Sequence, residues 1–448
     1  MPAITLRVAC AQLRARPLEE ARAALQDIFS AIREAKRKRA DLIVLPECSY
    51  PGYVLLGDPY RRAIPSAAEA LRRVSALAAQ HGIHVALGIA RRANTGLQNQ
   101  SVLIDNSGRE LGSYAKSYLW SFDNRWFVPG RTRPVSDTRF GSLGMMICAD
   151  GRVPEITREL AAQGAWLILD PTAWVGYGPS YETMPNPQAD FMLRVRALES
   201  NAWIAAADKC GSEHEAIYYV GRSQIVAPDG SVLALAGAAE PEVIVAEIAR
   251  PRSRSVFKAP NAARVLTPGS AGAPAPLVWL GVYQAPRRRS SHERQTMQTL
   301  SAQGATVVLR TDASPAQLRA TLRSRSPALR SACIEGRALL APESARAAAR
   351  GGIDLLIWLK PPQDLPVLDI ARTRALESRI YVLVAARPRP DVSACLVDPN
   401  GTVVAAALRN AAGAFMAPLD PAAARRKLVV PGTTVFEARR AARARVKR

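Results

Sequence analysis

Gly144-Met145-Met146-Ile147-Cys148-Ala149-Asp150-Gly151-Arg152-Val153-Pro154-Glu155 is the stretch whose reading decides the fold. Leu143–Ile147 is an apolar run of strand length, and Pro154–Gln163 follows with helical spacing and a proline at its first helical position, where a missing N–H costs nothing. A cysteine therefore stands where a buried strand gives way to a turn. Outward on the N-terminal side, Ile4–Ala9, Leu42–Leu45 and His84–Ile89 have the length and composition of strands. Leu18–Lys38 carries Ala21, Leu25, Ile28 and Ile32 at helical spacing, and Ser66–Gln80 predicts a second helix. Ser101–Asp105 and Glu110–Tyr114, joined through Asn106-Ser107-Gly108, predict a hairpin. On the C-terminal side come a strand at Trp166–Leu169, a helix at Gln188–Ser200, a strand at Trp203–Ala207 and a hairpin around Ala227-Pro228-Asp229-Gly230. This mixture of alternating elements and hairpins predicts α/β architecture with sheets covered by helices.

A thiol with an ordinary pKa of about 8.5 is mostly protonated at neutral pH and needs a proton acceptor before it can attack a carbon. The usual partner is histidine, but the chain has only His81, His84, His214 and His292, none of them in a motif. A carboxylate base is the alternative. Glu47, directly after the strand Leu42–Leu45, is a candidate, although a lone glutamate there is ordinarily a solvated cap and a lone buried cysteine ordinarily a core filler.

Three segments in order give these residues a context. Leu45-Pro46-Glu47 with Pro51-Gly52-Tyr53 resembles the first signature of the nitrilase-like carbon–nitrogen hydrolases. Tyr114-Ala115-Lys116-Ser117-Tyr118-Leu119 with Phe127-Val128-Pro129-Gly130 resembles the second, and Gly144–Glu155 the third. The likeness covers residues 1–250. It implies an αββα sandwich in which Glu47 is the base, Lys116 the oxyanion partner and Cys148 the nucleophile, with Ala149 offering a backbone N–H. Tyr53, Asp123 and Trp174 become candidate substrate-binding residues. Asp123 stands where the family usually has a glutamate, one methylene longer, and Asp170 opens a run that usually begins with asparagine. True nitrilases tend to place Trp-Glu after the nucleophile. The Ala149-Asp150-Gly151-Arg152 found here is closer to amidases and carbamoyl-amine hydrolases, with no cofactor and no metal. Arg152 either meets a substrate carboxylate or pairs with Asp150. An inert binding protein and an amide-forming acyltransferase are the competing functions.

An internal repeat extends the reading. Arg194–Ser200 recurs as Arg372–Ser378, Val226–Gly230 as Val397–Gly401, Cys148–Arg152 as Cys333–Arg337, and Ala40–Glu47 as Ala305–Asp312. The second half thus reads as a diverged, shortened copy. No lysine lies between Lys258 and Lys360, so it is expected to be inactive. The expected organisation is a catalytic domain over 1–250, a linker over 251–275 rich in Pro, Gly and Ala, a truncated nitrilase-like domain over 276–420 and a basic tail over 421–448.

Of the net charge of +22, residues 1–250 carry +2 and residues 251–448 carry +20. Arginine on solvated faces accounts for this excess, or else an anionic partner does. Six scattered cysteines without a C-x-x-C pair fit a reducing compartment, and nothing resembles a signal peptide or a membrane span. The expectations are a cytoplasmic enzyme, a small-molecule amide substrate, and either self-association or an intrachain pseudo-dimer.

Overall fold

The computed structural model describes residues 5–55, 66–251, 263–268, 276–286 and 292–436. The chain divides into two compact units, one comprising 1–256 with 430–448, the other 257–429.

In unit 1, β1 (Thr5–Arg14), α1 (Ala21–Arg37), β2 (Leu42–Val44), α2 (Ala67–His81), β3 (His84–Ala93), β4 (Gly96–Ile104) and β5 (Glu110–Ala115) come first. They are followed by β6 (Ser136–Thr138), β7 (Gly141–Met145), α3 (Pro154–Ala162), β8 (Leu167–Pro171), α4 (Leu193–Ser200) and β9 (Trp203–Ala207). β10 (Lys209–Glu213), β11 (Ile217–Val220), β12 (Gln224–Val226), β13 (Val232–Leu235) and β14 (Glu242–Ala249) complete the run. One sheet has the order β11-β10-β1-β2-β3-β4-β5, with β14 also pairing β1, and the other has the order β13-β12-β9-β8-β7-β6.

Both faces of the first sheet are apolar, and the two-residue period divides them. Leu6, Val8 and Cys10 of β1 point into the core shared with the second sheet, whereas Ala9, Ala11 and Leu13 pack under the helices. Leu25, Ile28 and Ile32 of α1 and Val74 and Leu77 of α2 cover that outer face. Ile156 and Leu160 of α3 and Leu193 and Ala197 of α4 join the core that holds Met145, Leu167, Leu169 and Ala205 of the second sheet. The result is an αββα sandwich. Gln188–Met192, expected to be regular helix, is instead a π turn leading into α4.

Two glycines let neighbouring backbone pack tightly against the segments that carry Glu47 and Lys116. A Cβ at Gly88 in β3 would lie 2.0 Å from the Pro46 carbonyl oxygen, and one at Gly130 would lie 2.1 Å from that of Ala115. Only a bare α-carbon allows backbone to approach those segments so closely.

Unit 2 contains β15 (Arg264–Thr267), β16 (Val278–Gln284), α5 (Glu293–Ala302), β17 (Val307–Arg310), α6 (Pro315–Arg325), β18 (Ser331–Glu335), α7 (Pro342–Arg350) and β19 (Leu355–Leu359). α8 (Val367–Ser378), β20 (Tyr381–Ala385), β21 (Cys395–Val397), β22 (Val403–Ala406), β23 (Gly413–Leu419) and α9 (Pro421–Arg425) follow. Its sheets run β17-β16-β23 and β15-β18-β19-β20-β21-β22. In the larger sheet β18, β19 and β20 are parallel and β15, β21 and β22 antiparallel to their neighbours, which is the pattern of β7, β8 and β9 with β6, β12 and β13. In the smaller sheet β16 is parallel to β17 and antiparallel to β23, as β1 is to β2 and β14.

A buried arginine braces each unit in the same way. Arg196 Nε donates to the Gly151 carbonyl at 2.7 Å and Nη1 to Glu199 at 2.8 Å. Arg374 Nε donates to the Leu339 carbonyl at 2.9 Å and Nη1 to Glu377 at 2.7 Å.

Three sequence expectations change. Arg264–Thr267, assigned to the linker, is a strand paired with β18, so the β-branched and leucine residues there outweigh the surrounding proline and glycine. Residues 252–262 and 269–275 of that linker and 437–448 of the expected tail lie outside the described residues. The rest of the expected tail is ordered as α9 and the strands Leu428–Val430 and Thr433–Thr434. The repeat also has a different register at the cysteine. Leu143 and Ser331 begin equivalent pairings, opposite Leu167 and Leu355 respectively. Counting on from each puts Gly336, not Cys333, at the position of Cys148. Both positions are left-handed, with φ of +58° and +47°.

Candidate active site

Cys148 caps the strand β7 and opens the 3-10 turn Cys148–Arg152. A non-glycine residue at φ +47° is strained, and the surrounding bonds hold it there. Its N–H donates to Asp170 Oδ1 at 2.8 Å, and its carbonyl accepts from Gln188 Nε2 at 2.6 Å. Asp150 ties the elbow to the neighbouring loop, accepting from Ile147 N at 3.0 Å, Tyr118 N at 2.8 Å and Tyr114 Oη at 2.7 Å.

The Lys116 ammonium lies beside this elbow with no solvent access. It donates to Glu47 Oε1 at 2.6 Å and to Asp123 Oδ2 at 2.7 Å, and all three side chains are fully buried. Asn99 Nδ2 donates to the same Oε1 at 2.6 Å. Glu47 Oε2 has no partner among the described residues. Asp123 Oδ1 accepts from Tyr53 Oη at 2.6 Å, so the aspartate reaches the ammonium despite its shorter side chain.

A second buried pair, Lys209 Nζ to Glu213 Oε1 at 2.7 Å, lies against the rings of Tyr53 and Tyr219. Glu213 also accepts the N–H groups of Tyr53 and Val54. This pair fixes the backbone from which the Tyr53 hydroxyl reaches Asp123.

The electrostatics follow from burial. Desolvation pushes Cys148 well above the usual thiol range and the Glu47 charge adds to it, while Lys116 and the Ala173 N–H pull the other way. The balance favours the neutral thiol at Cys148. Burial also raises Glu47, more than Lys116 lowers it. Lys116 is held well above its ordinary value because the attraction of Asp123 and Glu47 exceeds the desolvation that opposes it. A carboxylate with a raised pKa is a stronger base for a thiol.

The structure thus brings Glu47, Lys116, Cys148, Asp123 and Tyr53 together. Ala149 follows the nucleophile in the first turn, ahead of the first intrahelical bond. Trp174 is buried in the core between the sheets; its backbone N–H donates to Asp208 Oδ1, and its indole Nε1 has no partner among the described residues. Arg152 does not pair with Asp150: its Nε donates to Gln188 Oε1 at 3.2 Å and its guanidinium stacks 4.3 Å from the centre of the Trp120 ring. Asn99, Gln188 and the Lys209–Glu213 pair are missed by sequence reasoning. Only the buried position of a charged i,i+4 pair within a strand signals the last of these.

Asp208 gives this region a pH signature. Burial raises its carboxyl to about 8, against the hydrogen bonds from Trp174 N, Thr172 Oγ1 and Lys209 N. Between about pH 4 and 8 the unfolded chain releases this proton while the folded chain keeps it, so the group lowers stability as pH rises through that window. Asp208→Asn is expected to melt higher than the parent at pH 8, by on the order of a few kcal/mol, with the gap closing toward pH 4. Melting curves across this range check it; a constant gap rejects the assignment.

The chain matches the carbon-nitrogen hydrolase family model over residues 7–257, and it belongs to that family. It is 38% identical over 248 residues to a protein described as the hydrolase in the pqqF 5' region of Pseudomonas protegens, covering 54% of this chain and 82% of that relative. It is 31% identical to the deaminated glutathione amidase of Mus musculus (45% of this chain, 66% of that one) and 30% identical to the N-carbamoylputrescine amidase of Arabidopsis thaliana (48% and 78%). An amidase structure from Nesterenkonia sp. aligns at 29% identity with a TM-score of 0.49, over 56% of this chain and 92% of that one. No helix among the described residues is long and apolar enough to cross a membrane.

Proposed function

We propose that unit 1 hydrolyses the carbon–nitrogen bond of a small amide or N-carbamoyl compound through a thioester on Cys148. The observation that carries this reading is the division of labour on Glu47. Its Oε1 is occupied by Lys116 and Asn99, leaving buried Oε2 as the atom that receives a proton. Oε2 takes the thiol proton as sulfur attacks the carbonyl carbon. The oxyanion is met by the Lys116 ammonium and the Ala149 N–H, donors that need no reorganisation. Collapse breaks the C–N bond, and Glu47 returns the proton to the departing amine. Water, deprotonated by Glu47, then attacks the thioester, and the sulfur recovers its proton as the acid leaves. Asp123, steadied by Tyr53, shares the Lys116 charge and keeps the ammonium aimed. The named activities of the amidase relatives support the amide and N-carbamoyl classes, and a buried Trp174 suits an apolar wall.

We also infer that unit 2 is a shortened, inactive copy of unit 1. Shared strand order and the two arginine braces support this. Gly336 stands at the nucleophile position, Asp312 at the base position is held by Arg310, and the lysine-bearing strands have no counterpart among the described residues.

Ammonia or amine release from a panel of short aliphatic amides, ω-amido acids, N-carbamoyl amines and nitriles tests the reading. Rapid quench and mass spectrometry should find the acyl group on the peptide containing Cys148. A folded enzyme silent across the panel sinks the hydrolase; product found only when an amine acceptor is added makes it an acyltransferase.

A further inference from the structure

The loop between Lys116 and Phe127 carries the second carboxylate, and its shape is not determined by its own residues alone. Asp123 lies in the 3-10 turn Ser121–Arg125, and Trp120 N donates to its Oδ2 at 2.9 Å. The first residue of that turn, Ser121, is at φ +43°, a conformation that costs about 1–2 kcal/mol for a residue with a side chain. Within the loop Asn124 Nδ2 donates to the Ser121 carbonyl at 3.0 Å, but the Ser121 N–H is met from outside it.

That support comes from the far end of the chain. Residues 430–436 belong with unit 1 although they follow the whole of unit 2 in sequence. The Thr433 hydroxyl accepts from Ser121 N at 3.0 Å and donates to the Leu119 carbonyl at 3.3 Å. One hydroxyl thus spans the bend, using both its donor and its acceptor capacity, and Thr433 is only 1% exposed. The next residue repeats the attachment, its carbonyl accepting from Tyr118 Oη at 2.9 Å. Three bonds therefore tie residues 433 and 434 to residues 118, 119 and 121, within five positions of Lys116 and Asp123.

We propose that Thr433 is a positioning residue for catalysis: by fixing the strained bend at Ser121 it sets the Asp123 carboxylate on Lys116, so the catalytic unit is complete only with the C-terminal segment. The inference rests on the mechanism above, in which the Lys116–Asp123 bond aims the oxyanion donor. It explains why the chain returns to unit 1 after unit 2, and it means that residues 1–256 alone lack part of their own site.

The test is Thr433→Val, which keeps the branched shape and removes the hydroxyl, beside Thr433→Ser, which restores it, both in the full chain. With the best amide of the panel, Thr433→Val is expected to lose about 10-fold in kcat with KM within about twofold, because bond-making suffers rather than binding. Hydrogen exchange of the peptide covering 117–126 should quicken by at least about tenfold at the Ser121 amide. Thr433→Ser should match the parent in both. Tyr118→Phe, which removes the neighbouring bond without touching the segment, should give a smaller change in the same direction. Unaltered exchange at Ser121 in Thr433→Val overturns the proposal even if the parent proves inactive on amides. Equal kcat in Thr433→Val and the parent overturns it when the parent is active, and a loss in Thr433→Ser as large as in Thr433→Val shows a merely structural effect and does the same.

Discussion

Cys148→Ala is expected to abolish ammonia release, by at least about 10⁴-fold, while the protein still folds. Among the described residues no other cysteine belongs to the turn Cys148–Arg152. Cys48 follows Glu47 directly, but it packs in a separate apolar cluster with Leu18, Tyr53 and Phe127 rather than at the elbow. Losing a nucleophile removes the covalent path entirely, so the residual rate comes from binding and the oxyanion donors alone. The fold survives because the elbow is held by main-chain groups that alanine keeps, the N–H on Asp170 and the carbonyl on Gln188. The change in stability should stay within about 1 kcal/mol. Steady-state assay on the best amide and a melting curve decide the matter; hydrolysis within tenfold of the parent would remove Cys148 from the mechanism.

The sequence made the main parts of this site readable because each sits at a break between elements. Leu45-Pro46-Glu47 ends a strand, Lys116 ends a hairpin, and Cys148 precedes a helix opened by proline. Such junctions leave patterns in residue type. The supporting residues leave none. Asn99 is one polar residue along β4, and Gln188 is one amide at the start of a helix; neither position signals that it touches Glu47 or Cys148 until the sheets are packed. Thr433 is further beyond reach, over 300 residues from the loop it braces.

The repeat shows where short matches mislead. Cys333-Ile334-Glu335-Gly336-Arg337 looks like Cys148–Arg152, yet the strand register aligns Gly336 with Cys148. What unit 2 keeps is the left-handed turn, a steric requirement that glycine meets without a side-chain penalty. The thiol of Cys333 is a core group, raised by burial and buried within β18. By contrast, Arg194–Ser200 and Arg372–Ser378 match in register because each holds a buried arginine that must reach the same carbonyls.

Lys116→Met is expected to cost both rate and stability, and the two losses should respond differently to pH. Methionine fills much of the same volume, so packing changes little. The ammonium, however, neutralises two buried carboxyl groups at once. Without it the oxyanion loses its charged donor and Asp123 loses its cation, keeping only Tyr53 and the Trp120 N–H, and kcat should fall by about 10³-fold or more. Leaving two carboxylates unpaired in a dry site costs about 3–5 kcal/mol at neutral pH unless one takes up a proton. A carboxyl whose folded pKa is raised destabilises the fold above its unfolded value near 4 and ceases to do so below it. The variant should therefore melt far below the parent at pH 8 and approach it as pH falls toward 4, while its activity recovers at no pH. A loss of stability that does not narrow on acidification would mean that the methionine side chain, not the unpaired carboxylates, is at fault. A pH-independent residual activity above a tenth of the parent's would take Lys116 out of oxyanion stabilisation altogether.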